Sequence, residues 1–172
     1  MALLTGGSSG LGRDKALRLA EKGSDVLLTY HSQEQEAAKV ASEIRALGRE
    51  AAIFRLDTGD VKTFDAFFSD LTGYLRDKTG ETGFDFLINN AGTALYEPFA
   101  TTTEEQFDAM LHIHFKGVFF LTQKALPYLR DGGRIINISS GLARFALPGS
   151  STYAAMKGAV EVWTRYLAKE LG

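Results

Sequence analysis

The chain has 172 residues, 45% of them hydrophobic and 23% charged, with a net charge of -2, which describes one ordinary domain over residues 1–172. It has no cysteine and only three scattered histidines, which excludes disulfides and thiolate metal sites and argues against a histidine metal site. No apolar run reaches about 18 residues, no signal-peptide pattern opens the chain, and no Lys/Arg cluster is present, so the expectation is a cytoplasmic protein whose partner is a small molecule, with neither membrane nor nucleic acid involved.

In chain order, Ala2–Thr5 is a short apolar run that predicts a buried strand. It leads into Thr5-Gly6-Gly7-Ser8-Ser9-Gly10-Leu11-Gly12, and a helix is predicted from Leu11 to Lys22, stopping at Gly23. Glycine lets backbone turn sharply and approach a pyrophosphate, while the helix start offers unpaired N–H groups and a positive dipole end. Ser8 and Ser9 add hydroxyl donors. Taken alone, three glycines after a strand also fit a plain tight turn, and the spacing departs from GxGxxG.

The second predicted strand, Asp25–Tyr30, delivers Tyr30, His31 and Ser32 to its end. A carboxylate there would bond a ribose 2′-OH, whereas a cationic or neutral polar group admits a 2′-phosphate. The nearest acid, Glu34, falls in the next helix, which favours NADP(H) over NAD(H), with His31, Ser32 and Arg13 near the phosphate. Tyr30-His31-Ser32 also fits an ordinary polar loop.

Gln33 to Leu47 places Ala37, Val40, Ala41, Ile44 and Leu47 on one helical stripe before Gly48, and Ala51–Leu56 reads as a third strand. Phe64, Phe67, Phe68, Leu71 and Leu75 form the next stripe, followed by a surface loop at Gly80–Gly83 and a strand at Phe84–Asn89. A fourth helix opens near Glu104, with capping-box spacing at both Thr102 to Glu105 and Thr103 to Gln106, and runs toward Pro127. Arg134–Ser139 is the fifth strand, and a last helix starts around Ser151 and reaches the end. Such alternation predicts an α/β fold, a doubly wound parallel sheet in a Rossmann-like three-layer sandwich. Its ligand crevice lies at the carboxyl ends of the strands, beside the first strand and its glycine-rich turn.

Tyr153 and Lys157 are four residues apart in that last helix and share a face. A phenol ionises near ~10, so acid/base work at neutrality needs a stabilising charge. An ammonium about 5 Å away at an effective dielectric of ~20 supplies roughly 3 kcal/mol. Alone, Tyr-x-x-x-Lys is a frequent accident on helices. Here it follows Asn89-Asn90-Ala91-Gly92 and Ser139-Ser140, each at the end of its own strand.

With these five ordered motifs the chain resembles the short-chain dehydrogenase/reductase family over essentially its whole length. The resemblance implies NAD(P)(H) binding through Gly6, Ser8, Ser9, Gly10, Leu11 and Gly12, an adenine contact at Asp57 with Thr58, and an adenosine-side lining at Asn90, Ala91 and Gly92. It also implies that Ser140 orients the substrate, that Tyr153 is the general acid/base, and that Lys157 holds the nicotinamide ribose and lowers the tyrosine pKa.

Two departures stand out. His114 occupies the position of the family's asparagine, which helps hold a water leading to the lysine, so a relay through imidazole with altered pH dependence is one expectation and a packing role the other. The chain stops at Leu171-Gly172, where family members continue through further strands, so the sheet is expected to lack the C-terminal strands and the chain to be part of a longer polypeptide. The resemblance further implies a homo-oligomer, dimer or tetramer, through helices around Phe115–Leu129 and Thr152–Leu171.

The leading expectation is an oxidoreductase moving a hydride between nicotinamide and a carbonyl/alcohol substrate. A truncated or noncatalytic dinucleotide-binding module is the alternative, and a methyltransferase of similar fold gives no role to Ser140, Tyr153 and Lys157. Phe99, Phe145, Leu147 and Pro148 are candidates for an apolar substrate pocket near Ser140.

Overall fold

The computed structural model describes residues 1–172. Five parallel strands form one sheet: β1 (Ala2–Leu4), β2 (Val26–Tyr30), β3 (Ala51–Arg55), β4 (Phe84–Asn89) and β5 (Leu129–Asn137), in the order β3-β2-β1-β4-β5. The helices are α1 (Gly10–Glu21), α2 (Glu34–Ala46), α3 (Phe64–Thr79), α4 (Glu104–Leu111), α5 (Gly117–Ala125) and α6 (Ser151–Glu170). The doubly wound architecture is therefore as the alternation predicts. No helix is long and apolar enough to cross a membrane.

Each face of the sheet carries its own apolar layer, because successive residues of a strand point to opposite sides. On one face Ala2, Leu4, Val26 and Leu28 meet the small residues Ala16, Ala20, Ala37 and Ala41 of α1 and α2, which lets those helices lie close. On the other, Leu3, Leu27 and Leu87 meet Phe64, Phe67, Phe68, Leu71 and Leu75 of α3 together with Leu121 and Ala125 of α5. The phenylalanine stripe read from the sequence is thus the core of one layer. Strand order reverses between β1 and β4, which opens the crevice beside the glycine-rich turn.

Three details differ from expectation. The helix expected to run from Glu104 toward Pro127 is interrupted by a π-helical turn over His112–Lys116, which adds one residue to the winding and turns His114 inward. Its capping box uses Thr103 and Gln106, whose side chains each take the other's backbone N–H, and not the Thr102 to Glu105 spacing. The fifth strand begins earlier than Arg134, because Leu129 pairs with Phe84 before an irregularity in register that restarts pairing at Arg134 with Phe86.

The break in the helix is packed tightly. A Cβ on Gly117, the residue after the π-turn, would lie 1.8 Å from the Thr58 carbonyl oxygen and 2.8 Å from that of His112. Backbone therefore meets backbone here, and only glycine fits.

Candidate active site

The carboxyl ends of the five strands open into one cleft of about 730 Å³, within the size range of cofactor sites. Gly6, Ser8, Ser9, Gly10, Leu11 and Gly12 line it from the glycine-rich turn, His31, Ser32 and Gln33 from the end of β2, and Asp57 and Thr58 from the end of β3. Asn90, Ala91, Gly92 and Thr93 follow β4, Ser139 and Ser140 follow β5, and His114, Tyr153 and Lys157 complete the lining.

The glycine-rich turn is fixed from β4. Thr5 Oγ1 accepts the backbone N–H groups of Asn90 and Ala91, both at 2.9 Å, and Asn90 Nδ2 donates to the carbonyls of Thr5 and Gly6 at 2.9 and 3.1 Å. Gly6 and Gly10 have φ of +66° and +51°, conformations that side chains resist. A Cβ on Gly12 would sit 1.9 Å from the Gly6 carbonyl oxygen, so α1 starts where its first N–H groups face the turn directly. This cradle suits a pyrophosphate: donors and a dipole end, with no side chain between.

At the other end of the cleft, Lys157 is 5% exposed and its Nζ donates to the Ile138 carbonyl oxygen at 2.8 Å. Burial, and after it the charge of Lys15, lower its pKa to about 8. The ammonium lies 5.7 Å from the centroid of the Tyr153 ring. Ser140 Oγ accepts the Leu142 N–H at 3.2 Å, which leaves its own proton for another acceptor. Beneath these groups Asn89 Nδ2 donates to Thr122 and Asn137, and Asn137 Nδ2 to Thr164, tying β4, α5, β5 and α6 together.

His114 is 1% exposed, and its ring meets that of Tyr153 edge-on with centroids 4.9 Å apart. Nε2 accepts the Thr93 N–H at 3.3 Å, so in the neutral ring the proton resides on Nδ1, which has no protein partner. Burial, and then the Lys157 charge, lower its pKa to about 4. His114 is therefore neutral throughout the physiological range, and any influence on catalytic pH dependence must pass through its neighbours.

The depressed value has a consequence for stability. Between pH 6.5 and about 4 the unfolded chain takes up a proton at this histidine that the folded chain refuses, so stability falls as pH falls through that window. The full effect is about 3 kcal/mol. The variant His114→Asn is expected to lose about that much less between pH 7 and pH 4 in urea titrations; parallel losses in the two proteins would contradict it.

A family model described as short chain dehydrogenase matches residues 1–172. The chain belongs to this family. Among short-chain dehydrogenase relatives, the hydroxynaphthalene reductase-like protein Arp2 of Metarhizium brunneum is 33% identical over 173 residues, covering 100% of this chain and 62% of the relative. The short chain dehydrogenase/reductase nsrJ of Aspergillus novofumigatus is 32% identical, with 100% and 63% covered. This chain thus spans less than two thirds of the length of the curated relatives it matches. The angucycline C-6 ketoreductase LanV, solved with bound NADP, has a TM-score of 0.92 at 39% identity, covering 98% of this chain and 67% of that one. A short-chain dehydrogenase from Burkholderia cenocepacia J2315, in complex with NADP, has a TM-score of 0.88 at 37% identity, covering 99% and 68%.

Of the residues singled out from the sequence, nearly all line the short-chain dehydrogenase cleft. Tyr30 does not: it is 9% exposed and packs in the apolar layer with α1 and α2, because an inward position on a central strand is filled by core. Arg13 is also turned away from the expected role, its guanidinium pairing with Glu43 of α2 at 2.6 Å. Phe99, Phe145, Leu147 and Pro148 line none of the cleft, and Phe99 instead borders a separate groove with Phe107 and Ala155. Sequence reading missed Gln33, Thr93 and the Ile138 carbonyl. The last two act through backbone groups, which leave no mark in residue type.

Proposed function

We propose that this chain binds NADP(H) in the cleft and uses it to reduce a ketone to an alcohol, with Tyr153 as the proton donor. The observation that carries the reading is that Ser140, Tyr153 and a buried Lys157 share one cleft with the glycine-rich turn. The names of relatives support the direction, since LanV is described as a C-6 ketoreductase and LugOII as catalysing keto-reduction at C1.

The bound dinucleotide would supply the hydride. Tyr153 donates its phenolic proton to the oxygen that gains charge as the carbonyl is reduced. The Ser140 hydroxyl donates a hydrogen bond to the same oxygen. Lys157, held by Ile138, keeps a positive charge beside the tyrosine and would hold the nicotinamide ribose. His114 keeps its neutral ring against Tyr153 and limits how the phenol can turn, with Nδ1–H left as a donor to a polar group in the bound complex. Val162 and Tyr166 of α6 are exposed, consistent with a homo-oligomeric contact along that helix.

Selectivity for NADP(H) would rest on the end of β2. His31 and Ser32 border the cleft there, and Asp57 has a carboxylate oxygen 3.6 Å from His31 Nε2. The His31 ring and the Ser32 hydroxyl so placed would meet a 2′-phosphate. The purified chain is expected to bind NADPH about tenfold or more tightly than NADH in a nicotinamide fluorescence titration, a gap worth about 1.4 kcal/mol or more. His31→Asp is expected to reverse the preference. Failure of the unaltered chain to bind either nucleotide would end this reading.

A further inference from the structure

A lysine outside the cleft's lining touches the cradle from behind. Lys15 lies on α1, one turn beyond Gly12, and is half-buried without forming an ion pair to any carboxylate. Its Nζ donates to Asn90 Oδ1 at 2.7 Å. The other end of that carboxamide, Nδ2, is the group that bridges the carbonyls of Thr5 and Gly6.

An asparagine side chain can be turned over, exchanging oxygen for nitrogen. Turned over here, Oδ1 would face two carbonyl oxygens and Nδ2 would face an ammonium, so every contact would become repulsive. The orientation seen satisfies all three. An ammonium on an amide oxygen is a charge-assisted bond, stronger than a neutral one.

We propose that Lys15 is a positioning residue for the dinucleotide: its ammonium locks the Asn90 carboxamide in the orientation that ties β4 to the glycine-rich turn. This rests on the reading of the cleft as an NADP(H) site.

The test compares Lys15→Met, which keeps the stem and removes both donor and charge, with Lys15→Gln, which keeps a donor without charge. In the nucleotide-free protein, amide hydrogen exchange at Asn90 and Ala91 is expected to quicken about tenfold in Lys15→Met and to stay near wild type in Lys15→Gln. NADPH binding should weaken about tenfold in Lys15→Met and within about threefold in Lys15→Gln, the size of one charge-assisted hydrogen bond against a neutral one. Unchanged exchange and unchanged NADPH affinity in Lys15→Met would overturn the proposal, as would faster exchange with unchanged affinity. A wild-type chain that binds no NADPH would instead overturn the functional reading and the dinucleotide role with it, while the exchange data would still decide whether Lys15 braces the turn.

Discussion

Replacing Tyr153 by phenylalanine is expected to lower kcat for ketone reduction by about a thousandfold while leaving the Kd for NADPH within about twofold, the signature of a lost proton donor. The substitution removes one oxygen and little else. The ring contact with His114 at 4.9 Å and the position of the Lys157 ammonium 5.7 Å from the ring centroid do not depend on the hydroxyl. The thermal midpoint should therefore hold, which separates a chemical effect from a damaged fold. Stopped-flow NADPH oxidation at saturating ketone measures the rate, and fluorescence measures binding. Residual turnover within tenfold of wild type would remove Tyr153 from the mechanism.

The second large effect is expected far from any reacting atom. Gly117→Ala places a methyl group where the Thr58 carbonyl oxygen lies 1.8 Å away, with the His112 carbonyl at 2.8 Å on the other side. Neither neighbour is a side chain that can swing aside, so α5 or the loop after β3 must shift. A cost of about 3–5 kcal/mol follows from clashes of this kind, lowering the thermal midpoint by roughly 10 °C. Displacing this segment also moves Thr58 and the π-turn that carries His114, so NADPH binding should weaken as well. Gly73→Ala is the matched control: it lies within α3 with nothing within 4 Å of the new Cβ, and alanine there should be neutral or stabilising by up to about 1 kcal/mol. Equal behaviour of the two variants would refute the packing argument.

These two residues also mark how far the sequence can be read. Tyr153 is legible because its neighbour Lys157 comes one helical turn later and because each preceding motif ends a strand. Strand positions are legible for a similar reason: Val26–Tyr30 is buried along its whole length, and a run of mostly apolar residues fills it. Gly117 is not legible. The π-turn before it adds a residue to a helix whose apolar residues still read as helical, so Glu104 toward Pro127 looks like one element. At a strand end Tyr30 reads as a cofactor contact, yet this strand is buried on both faces and the ring joins the core. Arg13 reads as a phosphate ligand because Glu43, thirty residues away, has no local signature as its partner. Lys15 reads as one more charged residue on a helix. What distinguishes it is Asn90, brought beside it only when the sheet closes.

That closure also constrains how the cradle comes into being during synthesis. Thr5 and Asn90 are 85 positions apart, and every bond that holds the glycine-rich turn to β4 spans a similar interval. A nascent chain can complete α1 and pair β1 with β2 while the turn between them is still unbraced. Contacts of such long separation form late, because the intervening chain must be ordered first. A ribosome-stalled chain exposing residues 1–80 should accordingly fail to retain NADPH, and retention should begin only once β4 and Asn90 have left the exit tunnel.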